Sequence, residues 1–342
     1  MTTEPRILEA ASEWHADDVA DEAKWIVRFD DAEVEELDAA LRHALRNAGD
    51  LLDIDRAAFP LPGLSARLKD VERELIEGRG FVLLRGIPRE RYTQAEMETL
   101  YWGIGMHLGR PWPQNNKGHL LGDVLDQGKT GAESNSRGNE IGGATPFPYH
   151  SDGSDLVGLM CLQKAQSGGL STVANAVSIH NDLLRERPDL VAELYGPLPY
   201  DFRGEQPEGG RKWYTMPAFT EHAGRLFVRY IRPYILFSQR HDDAPRISEK
   251  QEEAMRRVDA MTQDPGYNVF MDLEPGDIQF VNNYHVLHAR TTYVDDRESG
   301  QVRHLKRLWL ETEVLDDRPP LFRNNVGSDW GKNRTVSRIG VN

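Results

Sequence analysis

The N-terminal third of the chain carries three segments in which apolar residues recur every three or four positions, as on one face of a helix. These segments cover residues 31–48, 64–77 and 93–106, and the last opens with a Thr-x-x-Glu capping box. A run of four apolar residues, 81–84, follows the second segment and predicts a buried strand. We expect residues 1–70 to form a helical extension packed on the rest of the chain.

After residue 145 the pattern changes to short strand-like segments separated by turns. The clearest of these are residues 156–162, 226–230, 277–282 and 305–310. Helical patterns interrupt them near 177–195 and 247–263. Because there is no fixed-period repeat and no interdomain linker, we expect one domain over residues 1–342. Its fold class is mainly β with flanking helices (α+β), built on a β-sandwich or jelly-roll core.

Residues 111–148 differ from both regions, since they are polar, rich in Gly, Asn and Ser, and almost without periodicity. A loop of that length in a compact protein is usually functional or disordered. We therefore predict a lid loop over residues 111–146 that becomes ordered when substrate binds. A purely structural loop is the alternative.

The charge of the chain limits its function. Among 342 residues there are 41 Lys and Arg against 55 Asp and Glu, a net charge of −14, and no Lys/Arg-rich block. Nucleic-acid binding needs a basic surface that neutralises phosphates, so this class is not expected. No apolar run approaches the roughly 20 residues that cross a bilayer, and the N-terminus lacks a signal-peptide pattern, so no membrane or export role is expected.

The chain has a single cysteine, Cys161, within an apolar run. One cysteine excludes an intrachain disulfide framework and a CxxC zinc site, which favours a reducing, cytoplasmic location. We expect Cys161 to be an inert core thiol rather than a nucleophile, because free cysteine behaves mostly as a small buried hydrophobe.

The first candidate for metal chemistry is the segment Tyr-His-Ser-Asp-Gly at residues 149–153. In an extended chain, residues two apart project to the same side, so His150 and Asp152 could bind one ion while Ser151 points away. Taken alone the signal is weak, because His-x-Asp triplets occur by chance in many proteins.

A second candidate follows the Pro-Gly-Asp turn at residues 275–277, where a half-buried strand pattern leads to His285 and His288. A spacing of three puts these two histidines on opposite faces of a strand, so only one would meet a metal. On a helix both could, but the strand interpretation is the stronger one.

A third candidate is the pair Arg303 and Arg307, which lies in a later strand-like segment. An arginine beside a metal site would bind a dicarboxylate through its rigid fork of donors. Alone, such arginines more often face solvent or pair with acids. Together with His-x-Asp and a distant His, however, they have the composition of a 2-His-1-carboxylate facial triad, which leaves positions on Fe(II) for a bidentate co-substrate and O2.

From about residue 78 to 312 the chain resembles the taurine/2,4-D dioxygenase (TauD/TfdA) family of Fe(II)- and 2-oxoglutarate-dependent oxygenases, in the clavaminate-synthase-like group. The matching segments occur in the family's order: GFVLLRG (80–86), the His-Ser-Asp triplet, SGGLS (167–171), GDIQFVNNYHVLHAR (276–290) and RHLKRLWLE (303–311). The resemblance implies a double-stranded β-helix (jelly-roll) fold.

The resemblance also implies roles for residues. His150, Asp152 and His288 would bind Fe(II), while His285 occupies a position that the family does not use as a ligand. Arg303 and Ser171 would hold the distal carboxylate of 2-oxoglutarate.

Three features leave these assignments open. Thr172 is the neighbour that competes with Ser171, and Arg307 would lie near substrate or co-substrate. The segment between His288 and Arg303 is longer than in taurine dioxygenase, so Arg290, Arg297 and Arg307 remain competing arginines.

Substrate contacts are harder to assign. Asn116 and His119 lie in the segment where the family commonly places lid and substrate contacts, although solvated loop residues are the default. The pair Arg229 and Arg232 could bind an acidic substrate, but a solvated or salt-bridged face is favoured because acids are in excess. Four aromatic residues could line a pocket but are more often core: Trp213, Tyr214, Tyr230 and Tyr234.

The expected activity is that of a dioxygenase that uses Fe(II), 2-oxoglutarate and O2, releases succinate and CO2, and hydroxylates an unactivated C–H bond of a small organic molecule. Desaturation or cyclisation by the same chemistry is the alternative, and a non-catalytic metal-binding jelly roll is the rival from another class. Halogenation is not expected, because family halogenases replace the carboxylate that Asp152 retains. The sequence leaves open whether the chain forms a homo-oligomer.

Overall fold

The structure is a computed structural model that describes residues 4–129, 142–323 and 334–336. Its strands in this part of the chain are β1 (Ile26–Arg28), β2 (Phe81–Arg85), β3 (Arg110–Trp112), β4 (His119–Val124), β5 (Phe147–His150), β6 (Leu156–Gln163), β7 (Ser167–Gly168), β8 (Ser171–Asn175), β9 (Leu198–Asp201), β10 (Trp213–Met216), β11 (Phe219–His222), β12 (Arg225–Val228), β13 (Asn268–Met271), β14 (Ile278–Asn282), β15 (Val286–Arg290), β16 (Tyr293–Val294), β17 (His304–Glu311) and β18 (Thr335–Val336). Its α-helices are α1 (Asp31–Asn47), α2 (Leu64–Ile76), α3 (Gln94–Met106), α4 (Ala176–Glu186), α5 (Pro188–Tyr195), α6 (Arg232–Ser238), α7 (Glu249–Gln263) and α8 (Pro320–Arg323).

Two sheets form the core of the molecule. The larger one has the strand order β1-β2-β14-β6-β17-β4-β18, with β3 also paired to β17, and the smaller one has the order β13-β8-β15-β5. Leu159 and Leu305 from the larger sheet and His150 and Ser171 from the smaller one line the same cavity, so the two sheets face each other across it. This arrangement is the expected jelly roll with helices outside.

The helices cover the outer faces of this core. Helix α2 packs on β2 and β14, α3 packs on β17, β3 and β6, and α1 packs on α3. On the other side α4 contacts α5, α7 and β15. The predicted helices at 31–48, 64–77 and 93–106 are confirmed to within one or two residues at their ends, and the capping box of α3 is formed by Thr93 and Glu96.

The region before residue 70 also contributes to the larger sheet. Strand β1 pairs in parallel with β2, with Ile26 opposite Leu83. This strand has no signal in the sequence, because three residues are too few to show an alternating pattern. Nearby, the Trp14 and Trp25 rings pack against Phe81, with centroids 5.2 and 5.9 Å from it.

The segment predicted as a lid loop, residues 111–146, is only partly a loop. Residues 111–112 lie in β3, and residues 119–124 form β4, which is hydrogen-bonded to β17 and β18 inside the larger sheet. The prediction of a loop is therefore wrong for these residues. Strand β4 shows no apolar periodicity in the sequence, but hydrogen bonds to a strand on each side hold it in the sheet. Residues 130–141 of the predicted lid lie outside the described residues.

Strand β4 contains a buried carboxylate whose partners come from β17. The Asp123 Oδ1 atom lies 2.7 Å from Lys306 Nζ and 2.6 Å from His304 Nε2. Lys306 Nζ also lies 2.9 Å from Glu98 Oε1 on α3. A charged residue inside a buried strand is tolerated only when such partners are present.

Cys161 lies in β6 and is buried, as predicted. Burial raises the pKa of its thiol to about 12, so the reactive thiolate is not formed near neutral pH. Across the described residues, no helix combines the length and the apolar character needed to span a membrane.

Candidate active site

His150, Asp152 and His288 come together at one point of the smaller sheet. His150 ends β5, Asp152 follows two residues later, and His288 in β15 lies directly opposite His150 in the antiparallel register. One ligand atom from each residue lies within 4.8 Å of the others. His150 Nε2 is 3.8 Å from Asp152 Oδ1, and His288 Nε2 is 3.8 Å from Asp152 Oδ2. Antiparallel pairing therefore closes a set of ligands that are far apart in sequence.

The hydrogen bonds around the cluster orient its atoms for metal binding. The carbonyl oxygen of Pro148 can only accept, so His150 Nδ1–H donates to it at 2.9 Å and leaves the Nε2 lone pair free. The Trp309 indole Nε1–H donates to Asp152 Oδ2 at 2.9 Å. Such partners outside the ligand set fix the tautomer and the direction of metal ligands.

The electrostatics of the cluster also suit a metal. Burial lowers the pKa of His288 to about 3 and lowers the pKa of His150, so both imidazoles are neutral and can donate a lone pair. Burial alone would raise the pKa of Asp152, but the charge of Arg307, followed by the two histidines when they are protonated at low pH and by the Trp309 hydrogen bond, holds that pKa well below its usual range. Two neutral imidazoles and one carboxylate are the donor set of a facial Fe(II) site.

His285 is not part of this cluster. It lies in the turn between β14 and β15, where it is buried and its Nδ1 is 3.3 Å from Asn282 Nδ2. His288, and not His285, lies with His150 and Asp152, but the argument from opposite faces of one strand does not apply, because the two histidines do not share a strand. A turn separates the end of β14 at Asn282 from the start of β15 at Val286, so the alternation of side chains along β14 does not continue to His288.

A cavity between the two sheets contains the cluster. It encloses about 480 Å³ of space, part of it open solvent. Its lining residues are Val124, Phe147, His150, Asp152, Leu159, Ser171, His288, Ala289, Arg290, Arg303, Leu305 and Arg307. All six residues that the sequence predicts to bind metal or 2-oxoglutarate therefore share one cavity. In the smaller sheet, β5 with His150 and β8 with Ser171 lie on opposite sides of β15 with His288.

Arg303 is buried at the base of β17 and lines the cavity. Within the described part of the chain its guanidinium forms no ion pair, and burial, followed by the charge of Arg290, lowers its pKa to about 10. Gly169, with φ at +74°, makes room for it, because a Cβ there would lie 3.0 Å from Arg303 Cδ and Nε. A buried guanidinium without a protein carboxylate is suited to a carboxylate ligand.

Ser171 lines the cavity from β8, where it pairs with Arg290 of β15. Thr172, the competing hydroxyl, faces the other side of the sheet, and its Oγ1 lies 2.6 Å from the Tyr149 hydroxyl. The alternation of side chains along the strand thus separates the two candidates in favour of Ser171.

Arg307 lies on the cavity wall beside the cluster of His150, Asp152 and His288. Its Nε–H donates to Gln114 Oε1 at 2.8 Å, and its Nη1 is 3.7 Å from Asp152 Oδ2. The third competing arginine, Arg297, is exposed and pairs with Asp126 at 3.0 Å, away from the cavity.

Asn116 and His119, predicted as substrate contacts, do not line the cavity. The Asn116 backbone N–H donates to Glu205 Oε2 at 2.6 Å, and His119 Nδ1 lies 3.1 Å from Asn115 Nδ2. His119 begins β4 and Val124 ends it at the cavity, so roughly 17 Å of extended chain separates His119 from the site. For His119 the sequence interpretation treated a strand as loop, whereas Asn116 does lie in the turn before β4; the cavity lining offers neither residue a contact.

Sequence reasoning did not assign Phe147, Gln114 or Trp309 to the site. The Phe147 ring packs edge-on against His150 at 4.4 Å. Trp309 could have been found from alternation, since it lies two residues after Arg307, but Phe147 could not, because it lies three residues before His150. Gln114 carried no signal, because its contact with Arg307 depends on the fold.

Comparison with known proteins agrees with this geometry. A family model described as taurine catabolism dioxygenase TauD, TfdA family, matches residues 44–309. FR-33289 synthase of Streptomyces rubellomurinus is 32% identical over 305 residues, which cover 88% of this chain and 89% of the relative. The taurine hydroxylase-like protein SAT17 of Stachybotrys chartarum is 29% identical over 319 residues, covering 90% of this chain and 80% of the relative.

Solved structures show the same fold. An asparagine oxygenase in complex with Fe(II), 3-hydroxyasparagine and succinate matches with a TM-score of 0.66 at 18% identity, over 87% of this chain and 98% of that one. The non-heme iron oxygenase OrfP in complex with Fe and alpha-ketoglutaric acid matches with a TM-score of 0.60 at 18% identity, over 86% and 96% of the two chains.

The jelly roll and its His-Asp-His cluster define a non-heme iron oxygenase. The chain belongs to the TauD/TfdA family, and it is an Fe(II)- and 2-oxoglutarate-dependent dioxygenase that acts on a small organic molecule. The predicted family, fold, cofactors and reaction class are thereby confirmed.

Proposed function

We propose that His150, Asp152 and His288 hold the Fe(II) of this dioxygenase. The observation that carries the assignment is the direct pairing of His288 with His150 across β15 and β5, with both Nε2 atoms 3.8 Å from Asp152 carboxylate oxygens. With 2-oxoglutarate and O2, Fe(II) supplies the oxidation of a C–H bond and the release of succinate and CO2. The protein supplies the geometry and keeps the ligands in their metal-binding protonation states.

Arg303 and Ser171 hold the distal carboxylate of 2-oxoglutarate. Arg303 offers a charged fork with no carboxylate partner among the described residues, and Ser171 adds a hydroxyl from the facing sheet. A cation from one sheet and a hydroxyl from the other fix both the depth and the direction of a dicarboxylate in the cavity.

Arg307 forms the wall on which the substrate lies. Gln114 fixes its Nε, and Asp152 lies close to its Nη1, so the guanidinium is held in one orientation beside the metal ligands. The product is a hydroxylated small polar molecule. This follows the asparagine oxygenase complex, which contains a hydroxylated amino acid and succinate.

Two wider expectations remain part of the proposal. The single buried cysteine supports a reducing, cytoplasmic location. The single-domain organisation is supported by one apolar cluster that joins α1, α2 and α3 with strands of both sheets.

The ligand assignment is tested by comparing His288→Ala with His285→Ala, two buried histidines of one segment. We expect His288→Ala, like His150→Ala and Asp152→Ala, to lose Fe(II) binding and substrate-independent succinate formation. His285→Ala should keep most of both. Fe(II) affinity is measured anaerobically by calorimetry, and thermal unfolding checks that each variant is folded. A folded His288→Ala protein that binds Fe(II) as tightly as wild type would reject the assignment.

A further inference from the structure

Arg229 places a guanidinium against the loop that carries two of the metal ligands. It follows directly after β12, and its Nη1–H donates to the Ser151 carbonyl oxygen at 3.0 Å. Ser151 stands between His150 and Asp152 in the sequence. The Arg229 backbone is fixed on both sides, since its N–H donates to the Ala218 carbonyl at 2.8 Å and its carbonyl accepts from the Tyr200 hydroxyl at 2.5 Å.

Among the described residues Arg229 forms no ion pair, and the carboxylate that interacts with its charge, Asp152, is the proposed iron ligand that already accepts from Trp309. Its hydrogen-bond partners are neutral, the Ser151 carbonyl and the Tyr214 hydroxyl, and its buried Nε finds no acceptor. The sequence pairs Arg229 with Arg232, but the structure separates them, because Arg232 lies 2.8 Å from Asp259. A half-buried cation whose direct partners are neutral is costly, and once Asp152 binds a metal ion its charge no longer balances that of Arg229, so the geometry favours an anionic ligand beside Arg229.

Tyr214 supplies a second donor beside Arg229. Its hydroxyl oxygen accepts from Arg229 Nη2–H at 3.1 Å, and among the described residues nothing accepts its own O–H. The ring is held by stacking on Tyr200 at 5.3 Å and by contact with Phe202 at 4.8 Å. Arg229 and Tyr214 therefore present adjacent, preorganised N–H and O–H donors, which suits an oxyanion.

The position of this donor pair points to the substrate rather than to 2-oxoglutarate. A Cβ at Gly153 would lie 3.4 Å from the Trp309 ring and 3.9 Å from Arg229 Nη1, so Arg229 lies beside Trp309. Arg303 precedes β17 and Trp309 lies near its other end, six residues or roughly 20 Å further along the extended strand. The donor pair therefore lies near the Trp309 end of β17, behind Asp152 and next to the residues that line the cavity, whereas the proposed 2-oxoglutarate anchor lies at the Arg303 end.

We propose that Arg229 and Tyr214 bind an oxyanion group of the organic substrate, a carboxylate, sulfonate or phosphonate, and that this contact sets substrate specificity. The proposal rests on the proposed function, because it takes Arg303 to be occupied by 2-oxoglutarate. It assigns an acidic substrate to the enzyme and gives the Arg229 side chain an anionic partner in addition to its two neutral ones.

The test is calorimetric titration of the anaerobic Fe(II)/2-oxoglutarate complex with butyrate, propane-1-sulfonate and propylphosphonate, and with butyramide as the neutral analogue. We expect at least one of the three anions, but not butyramide, to bind wild-type protein saturably. Arg229→Gln should weaken that binding by about 10- to 100-fold and Tyr214→Phe by about 2- to 10-fold, as expected for losing a charged and a neutral hydrogen bond. Arg229→Lys should restore part of the affinity.

The matched control is Arg232→Gln, which removes a neighbouring arginine that already has a carboxylate partner and should leave anion affinity unchanged. The proposal is overturned if none of the anions binds wild type, if butyramide binds equally well, or if Arg229→Gln binds the anion as wild type does. Should Arg229→Gln fail to fold, Tyr214→Phe decides, and an unchanged affinity there rejects the proposal. Failure of the proposed function gives a different result, because wild-type protein would then not bind 2-oxoglutarate in the presence of Fe(II). In that case, titration of the metal-free protein with the same anions still tests the role of Arg229.

Discussion

Trp309 in the larger sheet donates its indole N–H to Asp152 Oδ2 in the facing part of the site, at 2.9 Å. The bond fixes one oxygen of the proposed iron ligand from across the cavity, and partners of this kind contribute about 10- to 100-fold to metal affinity. We therefore expect Trp309→Phe, which keeps an aromatic ring but removes the donor, to weaken Fe(II) binding by about tenfold. Anaerobic calorimetry with Fe(II) measures the change.

Trp112→Phe is the control for this substitution. Trp112 lies opposite Trp309 in the pairing of β3 with β17, and its indole nitrogen has no acceptor among the described residues. The substitution therefore removes a similar side-chain volume without removing a hydrogen bond. The Fe(II) affinity of this variant should stay within about twofold of wild type. Equal losses in the two variants would show that packing, rather than the bond to Asp152, supports the ligand.

Replacement of Arg303 tests the 2-oxoglutarate anchor. Because a charge-assisted contact contributes roughly 1.5–3 kcal/mol, Arg303→Ala should raise the half-saturating 2-oxoglutarate concentration by about one to two orders of magnitude. Ser171→Ala removes one neutral hydrogen bond and should raise it less. Succinate formation against 2-oxoglutarate concentration measures both.

Arg297→Ala serves as the control, since Arg297 is exposed and pairs with Asp126 outside the cavity. It should leave the 2-oxoglutarate requirement unchanged. If Arg303→Ala also left it unchanged, Arg307 or Arg290 would have to be the anchor.

His285 predicts a pH dependence of stability. Burial, with a smaller contribution from the charge of Arg225, lowers its pKa from 6.5 to about 4 in the folded protein. The unfolded chain therefore binds the proton first as the pH falls below 6.5, and the folded state loses stability on acidification. Between about pH 7 and about pH 5 this residue alone should remove about 2 kcal/mol from the free energy of unfolding.

Urea unfolding of the metal-free protein at the two pH values measures this loss. In His285→Gln the loss should be smaller by about 2 kcal/mol, because the titrating group is gone, whatever the variant's stability at neutral pH. An identical loss in both proteins would mean that His285 is accessible to protons in the folded state.

Two parts of the structure, the proposed metal ligands and strand β4, show what could and what could not be predicted from the sequence. His150 and Asp152 are two residues apart, and His288 follows a turn and an apolar run, so local patterns located all three. In contrast, β4 contains Gly122 and Asp123 within six residues, and its burial depends on Lys306 and His304. No local pattern can show that a charge will meet its partner from a strand more than 180 residues later.

The contacts near the proposed substrate position also depend on the fold and not on a local sequence pattern. Gln114 is buried against Arg307, and Arg229 reaches the backbone between the metal ligands only after β12 is in place. The sequence could offer Arg229 and Arg232 as an equivalent pair, but it could not tell that one has a carboxylate partner.

The buried ammonium of Lys306 leads to the last prediction. Its Nζ lies 2.9 Å from Glu98 Oε1 and 2.7 Å from Asp123 Oδ1, and all three side chains are almost completely buried. Removing the cation leaves two buried carboxylates without their shared counter-ion, and breaking such a pair costs about 3–5 kcal/mol. Lys306→Met, which keeps the length of the side chain, should lower the free energy of unfolding by that amount in urea at neutral pH. The exposed pair of Arg73 and Asp70 provides the comparison, since Arg73→Met should cost less than about 1 kcal/mol. Restoring neutrality with Glu98→Gln and Asp123→Asn in the Lys306→Met background should recover part of the loss, and a Lys306→Met effect as small as that of Arg73→Met would show that water or protons already reach this cluster.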